Sequence, residues 1–292
     1  MVLPDPANHL RLATAALVLG TLLAPQAGVL QSLEPLGRNA HVIIIIIDGL
    51  RPDLITAERT PVLQRLVDEG ASTLEAKTVR PSITLPAITS MLTGLRPRDH
   101  GVTWNDYDPG KGSVTATTIF DLAHRAGVST AFFSGKVKLR HAVRSESLDA
   151  QSVRFLPDAS VAILARTHLE EHQPGLMVVH LPNVDRAGHQ YGWRSDEQKK
   201  TLIATDLAIA SILQVVESGV LDGPVRLIVT ADHGGVGKNH QRLLRGNETV
   251  PWLLWGDGIE PHPIDSVSVT LTAAAALRSL GLDIPGTMNT GR

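Results

Sequence analysis

The stretch "HVIIIIIDGLRPD", residues 41–53, runs five consecutive isoleucines directly into Asp48-Gly49. A strand with one wet face alternates apolar and polar positions, whereas an unbroken β-branched run suits a strand covered by helices on both faces, as in a parallel sheet. Such a strand ends here in a carboxylate, at the edge where open α/β sheets bind their ligands. Two further stretches repeat the pattern. In "LMVVHLPNVDRAGHQYG" (176–192) an apolar strand leads into Asp185 and His189, and "RLIVTADHGGVGKNH" (226–240) leads into Asp232, His233 and then His240. These strands carry acids and imidazoles to one sheet edge, and the four-residue spacing of Asp185 and His189 lets them share a helical face and chelate a metal.

Outward from these stretches, short apolar runs alternate with helical patterns in the manner of βαβ units. Strands are expected at 42–47, 130–133, 176–180, 225–230 and 251–255, and helices at 60–69, 85–93, 117–126, 160–171, 196–218 and 266–280. The turn-rich "NDYDPGKGS" (105–113) reads as a surface loop. The expected fold class is α/β, with a mostly parallel central sheet and helices on both faces. With 292 residues, 43% of them hydrophobic, the chain suits one large domain. A formal charge of -2 without any long Lys/Arg cluster leaves no footprint for a nucleic acid duplex. The absence of cysteine excludes disulfides, thiolate metal sites and a Cys nucleophile, so any metal must be held by His, Asp or Glu.

Residues 10–28, "LRLATAALVLGTLLAPQAG", have an apolar core of signal-peptide length, too short for a stable membrane span. The flanks are atypical: Asp5 and a lone Arg11 precede the core, and Pro25 sits close to any cut after Ala27. Residues 1–37 read as a leader or signal-like segment ahead of a catalytic domain at 38–292. Export to the periplasm or the extracellular space is the expectation. A packed N-terminal helix, a misassigned start and cytoplasmic residence stay open.

The segment "RPSITLPAITSMLTGLRPRDHGVTWND" (80–106) resembles the nucleophile segment of the alkaline phosphatase superfamily, especially its type I phosphodiesterase/nucleotide pyrophosphatase branch. Thr84, Pro86, Thr93-Gly94, His100-Gly101 and Asn105 fall at matching positions, and "DGLRPD", "VDRAGHQYG", "ADHGG", "GKNH" and "VPWLLWGDGI" extend the likeness across residues 41–260. The resemblance implies an alkaline phosphatase-like fold and two Zn²⁺ sites, other divalent ions being admissible. Asp48, Asp232, His233 and the Thr84 oxygen would form one site; Asp185, His189 and His240 would form the other. It also implies Thr84 as nucleophile, passing through a phospho-threonine intermediate, with Asn105 on the phosphoryl oxygens and a small phosphorylated substrate. Mixed N/O ligation suits zinc, and two metals about 3.5–4 Å apart can clamp the attacking and leaving oxygens of an in-line displacement. A plain N-cap is the alternative role for Thr84.

Three departures qualify the likeness. Gln241 stands after His240 where relatives place Gly, which brings His262 forward as a substitute ligand; His100 is expected to be a structural turn residue. "FFSGKVKLRHAV" (132–143) resembles a substrate-binding segment of phosphonoacetate hydrolase, so Lys136 and Lys138 become candidate substrate-binding residues, against the alternative of a solvated basic turn. The short chain leaves room for only a small or absent cap. The sulfatases of the same superfamily are disfavoured because Thr84 cannot form formylglycine and Ile88 occupies the position of their arginine. A phosphodiesterase is expected, with a phosphomonoesterase or phosphonate hydrolase next, then a phosphoryl transferase or a non-catalytic zinc-binding protein. Trp104, Tyr107, Tyr191 and Trp193 are candidates for stacking near the site.

Overall fold

A computed structural model describes residues 25–37, 39–240 and 244–290; residues 1–24 of the expected leader, and Gln241, lie outside them. The first half contains α1 (Pro25–Ser32), β1 (His41–Ile47), α2 (Pro61–Glu69), β2 (Ala71–Lys77), α3 (Thr84–Thr93), α4 (Pro97–His100), α5 (Ile119–Arg125) and β3 (Thr130–Ser134). Then follow β4 (Ala150–Val153), α6 (Asp158–His172), β5 (Leu176–Leu181), α7 (Asn183–Tyr191), α8 (Asp196–Glu217) and β6 (Val225–Thr230). The C-terminal part adds α9 (Arg245–Glu248), β7 (Thr249–Gly256), β8 (His262–Pro263) and α10 (Leu271–Ser279).

Among the described residues one eight-stranded sheet has the order β4-β3-β5-β1-β6-β7-β2-β8. β4, β3, β5, β1 and β6 run parallel, β7 is antiparallel to both β6 and β2, and β8 joins β2 in parallel. The isoleucine strand β1 lies between β5 and β6, and every one of its residues is buried. That position accounts for its lack of alternation. Helices α2, α6, α7 and α8 pack together, and α3, α5 and α10 form a second group, with α1 packed on α10. Residues 29–36, within the stretch read as leader, are joined to the domain. Val29, Leu30 and Leu33 are buried, Leu36 N donates to Ser279 O (2.9 Å), and Arg226 Nη1 donates to Glu34 O (2.7 Å).

Helix boundaries follow local chemistry joined to tertiary caps. Pro61 opens α2, and the N–H groups of Val62 and Leu63, which lack partners inside the helix, donate to Asp206 on α8 at 3.1 and 2.9 Å. Asp158 ties three helices together in the same way. Its carboxylate accepts from Asn183 N at the start of α7 (2.9 Å) and from the Thr205 hydroxyl of α8 (2.5 Å).

Burial pushes the Asp158 carboxyl up to about 6, its hydrogen bonds only partly opposing the shift. A carboxyl raised above its unfolded value of about 3.9 holds its proton more tightly when folded, so stability falls as pH rises from about 4 to about 6 and then levels. The loss from this group should be on the order of 2–3 kcal/mol. Asp158→Asn is therefore expected to flatten the stability–pH curve across that window, measured by urea denaturation at a series of pH values. An unchanged slope would show that the carboxyl is not desolvated as described.

Candidate metal and phosphoryl site

Because β3, β5, β1 and β6 are adjacent and parallel, their carboxyl ends open on one edge, and the residues just beyond them meet there. Asp48 follows β1, and its N–H donates to Leu181 O at the end of β5 (2.9 Å). Gly49 has φ +76°, and a Cβ there would stand 2.9 Å from the Asp185 Cα, so only glycine lets the turn after β1 close against α7. The N–H groups of Gly49 and His233 both donate to Asp232 Oδ1, at 3.0 and 2.9 Å, which orients the other oxygen of that carboxylate.

The imidazoles are oriented through their outer nitrogens. Nδ1 of His233 donates to Gly234 O (2.9 Å), that of His240 to Ser82 O (2.7 Å) and that of His189 to Lys238 O (3.0 Å). A carbonyl can only accept, so each Nδ1 carries the proton and each Nε2 presents a lone pair inward. Nε2 of His189 and of His240 lie 3.1 Å apart, with Asp185 Oδ1 at 3.3 and 3.8 Å from them. His233 Nε2 lies 3.3 Å from Asp232 Oδ2, 3.6 Å from Asp48 Oδ1 and 3.5 Å from the Thr84 hydroxyl. Donors held about 2.0 Å from a tetrahedral zinc are themselves about 3.3 Å apart, which these separations approach.

Asp48 Oδ1, Asp185 Oδ1 and Asp232 Oδ2 are buried without a hydrogen-bond donor among the described residues. Three such carboxylate oxygens facing imidazole lone pairs suit a cation, since a buried acceptor is costly unless paired. His/Asp groups within metal-binding reach comprise Asp185, His189 and His240; Asp48, His180 and Asp232; and Asp48, Asp185 and His233. The residues present therefore fit bound divalent cations. Electrostatics agree: burial and the neighbouring Asp48 charge push Asp232 well above the usual carboxylate range. Burial also opposes ionisation of Asp48, yet the Lys136 ammonium and the His180 bond hold it well below that range.

Both lysine side chains lie against this cluster. Lys136 Nζ contacts Asp48 Oδ2 and Asp185 Oδ2 at 2.6 Å each and reaches the Thr84 hydroxyl at 3.4 Å. Burial opposes its charge, but those carboxylates outweigh burial and raise its pKa. Lys138 Nζ donates to Asn105 Oδ1 (3.0 Å), which also accepts from Leu85 N at 2.9 Å. Asn105 thus satisfies the first turn of α3. Ile83, not Thr84, is the residue at the cap position, and no side-chain cap bond is made there. The Thr84 hydroxyl, at the N-terminus of a wholly buried helix, has Lys136 and His233 as its polar neighbours.

His180 is a functional neighbour that the sequence reading passed over. It sits in β5 beside Ile46, fully buried, with Nε2 2.9 Å from Asp48 Oδ2 and Nδ1 3.2 Å from the Ser134 hydroxyl. An imidazole within an otherwise apolar buried strand was its signal. His240 joins the cluster, while His262 lies on edge strand β8, four strands from β1. His100 is a buried turn residue, accepting from Val102 N (3.1 Å) and bonding the Ser90 hydroxyl (2.9 Å). Trp193 is not a stacking platform. It is buried, donates to Gly49 O (2.9 Å) and sets its ring against His189 and His240. Tyr107 and Tyr191 remain exposed, and Trp104 is partly covered by Lys111 and His141.

Residues 42–267 match the family model of type I phosphodiesterases/nucleotide pyrophosphatases. An uncharacterized pyrophosphatase/phosphodiesterase of Schizosaccharomyces pombe is 27% identical over 227 residues, covering 70% of this chain and 47% of that protein. Ectonucleotide pyrophosphatase/phosphodiesterase family member 1 of Mus musculus is 25% identical over 66% of this chain and 24% of its own. The chain thus spans less than half the length of these two relatives. Among solved structures, human ectonucleotide pyrophosphatase/phosphodiesterase 5 superposes with a TM-score of 0.70 at 14% identity, covering 84% of this chain and 96% of that one. A 2-O GAG sulfatase reaches 0.67 at 15% identity over 84% of this chain and 71% of its own, as expected of a shared alkaline phosphatase-like fold. The family match over most of the chain, joined to this fold, makes the protein a member of the type I phosphodiesterase/nucleotide pyrophosphatase family.

Proposed function

We propose that this chain is a di-metal hydrolase of small phosphoric esters, most directly diesters or pyrophosphates, acting through a phospho-Thr84 intermediate. The observation that carries this reading is the uncapped Thr84 hydroxyl beside His233, Lys136 and the three orphaned carboxylate oxygens. Two divalent cations, zinc for preference, would be held by Asp48, Asp232, His233 and Thr84 and by Asp185, His189 and His240, supplying Lewis-acid stabilisation of the attacking and leaving oxygens.

Thr84 Oγ forms the new bond to phosphorus while the ester oxygen departs with its electron pair and takes up a proton as the free alcohol or phosphate. Water then displaces Oγ from the same phosphorus, which restores the hydroxyl and releases the phosphoryl product. Asn105, its Oδ1 held by Leu85 N and Lys138 Nζ, would donate from its amide nitrogen to the phosphoryl oxygens. The N-terminus of α3 adds favourable backbone polarity for an anion.

A second reading concerns the bond cleaved. Lys136 reaches the Thr84 hydroxyl and Lys138 the Asn105 amide oxygen, and a dianionic monoester or phosphonate would draw on these ammonium groups more than a monoanionic diester. Comparing kcat/KM on matched aryl phosphodiesters and phosphomonoesters decides between them. On the monoester reading, Lys138→Gln should depress the monoester about tenfold more than the diester, one charge-assisted contact being lost. Equal depression of both would return the site to diesters.

Members of the ectonucleotide family among the relatives make export a reading worth testing by localisation of a tagged full-length chain. No helix among the described residues is long and apolar enough to cross a membrane.

A further inference from the structure

Beyond the metal cluster, edge strand β4 is flanked by a cationic groove that the reaction described above does not use. It measures about 450 Å³ and is lined by Ser145 ahead of the strand, Gln151 and Ser152 within it, Arg154 just after it, and Ser113 and Arg140 beside it. Its lining contains two guanidinium groups and no carboxylate. Glu146, next to Ser145, is exposed and outside the lining. Arg140 Nε is fixed on Val153 O (3.0 Å), which turns the guanidinium into a held fork, and neither arginine makes an ion pair among the described residues. The Ser152 hydroxyl is buried with no hydrogen-bond partner among the described residues. Unpaired guanidinium groups beside hydroxyl and amide groups match the planar oxyanions of carboxylate and phosphate.

Short stretches of chain link the groove to the phosphoryl site. Arg154 N donates to Ser134 O (3.2 Å), two residues before Lys136, and Leu156 N follows on Gly135 O (3.4 Å). Arg140 is two residues beyond Lys138 in the same short helical segment, Val137–Ala142. Ser113 closes the loop that begins at Asn105. The end of β4 is one strand spacing, about 4.8 Å, from the end of β3, and three spacings, about 14 Å, from β1. An extended organic phosphate covers that span.

We infer that the groove is a distal oxyanion subsite. It receives a second acidic group, phosphate or carboxylate, carried on the alcohol portion of the ester, so that the preferred substrates are polyanionic. This inference rests on the phosphoryl reading of the Thr84 site, and its test is arranged so that the two can fail separately.

The first measurement is binding to the zinc-loaded Thr84→Ala protein by calorimetry, using a graded series of α,ω-alkanediol bisphosphates, the matching ω-carboxylates and the matching monophosphates. One chain length should bind about tenfold more tightly than its monophosphate, the gain expected of one charge-assisted contact. Arg154→Gln should remove most of that advantage and Arg154→Lys should keep part of it. The bisphosphate and ω-carboxylate arms tell which oxyanion the subsite prefers. An advantage that is absent at every length, or that survives in both Arg154→Gln and Arg140→Gln, overturns the subsite.

The second measurement is phenylglyoxal labelling of the metal-free wild-type chain with peptide mapping. Inorganic phosphate should protect Arg140 and Arg154. Protection without any ester binding at the zinc-loaded centre would sustain the subsite while the phosphoryl reading fails. Ester binding without protection or length dependence would do the reverse.

Discussion

Thr84→Ala is expected to lower turnover by about 10⁴-fold or more, the scale on which loss of a covalent nucleophile is felt, while bound zinc stays near the wild-type level. The separation follows from the geometry. Thr84 is 1% exposed, and among the described residues its hydroxyl approaches Lys136 and His233, at 3.4 and 3.5 Å, so its removal breaks no strong structural bond. The amide of Leu85 stays satisfied by Asn105, and α3 should keep its start. In the proposed site Asp48, Asp232 and His233 would remain to hold one cation, and Asp185, His189 and His240 to hold the other. Loss of one buried hydroxyl and methyl should cost about 1 kcal/mol of stability, too little to unfold the domain. Turnover on an aryl ester, with zinc content measured by mass spectrometry, makes the comparison. Retained turnover would sink the nucleophile assignment. Product analysis of the wild type with added alcohols addresses a transferase, because a phospho-Thr84 intermediate that prefers alcohols to water would yield new phosphate esters.

The parts of this architecture legible in the sequence are those where one physical demand outweighs all others. A strand buried on both faces must be apolar throughout, and β1, β5 and β6 declared themselves that way. The Asp48, Asp185 and Asp232 carboxylates, each a weak signal alone, stood out together because three strands led to acids and imidazoles in one cysteine-free chain. Where several demands compete, the signal faded. β2 was missed because "ASTLEAK" mixes buried Ala71 and Ser72 with exposed Leu74 and Glu75, as suits a strand near the sheet edge. β4 is four residues long, and only Val153 of it is buried. The antiparallel direction of β7 cannot be read from composition, since it is set by the connection through residues 231–248 and not by the strand itself. The expected helix at 266–280 begins instead at Leu271. Val269 N donates to Lys77 O (2.9 Å) and Val267 O accepts from Lys77 N (2.7 Å), so the β-branched "SVSV" is held in extended pairing against the sheet. His180 illustrates a different limit. Its place beside Asp48 depends on which strand lies beside which, and the order β3-β5-β1 is a tertiary fact.

Removing divalent cations should cost stability as well as activity, and the loss should depend on pH in a definite direction. Asp48, Asp185 and Asp232 each bury an oxygen that no donor satisfies, and Lys136 is the ammonium that touches the first two of these acids. Without further positive charge, burial beside Asp48 keeps Asp232 protonated well above the usual carboxylate range. A ligand present at about 1,000 times its dissociation constant stabilises the folded state by about 4 kcal/mol. For a chain of this size that is a rise of about 10 °C in Tm, at roughly 2–4 °C per kcal/mol. Binding must also expel the Asp232 proton, because the cation and the proton compete for the same oxygen. The sign follows directly. Lowering the pH fills the apo site with protons and weakens the cation, so the zinc-dependent rise in Tm should shrink as pH falls, while Asp232→Asn, having no proton to release, should show a smaller rise with less pH dependence. Thermal melts with zinc and with a chelator across a pH series test both parts. A rise in Tm that ignores pH in the wild type would mean that Asp232 is already ionised and paired, and the cluster would then need another source of positive charge than the one derived for it.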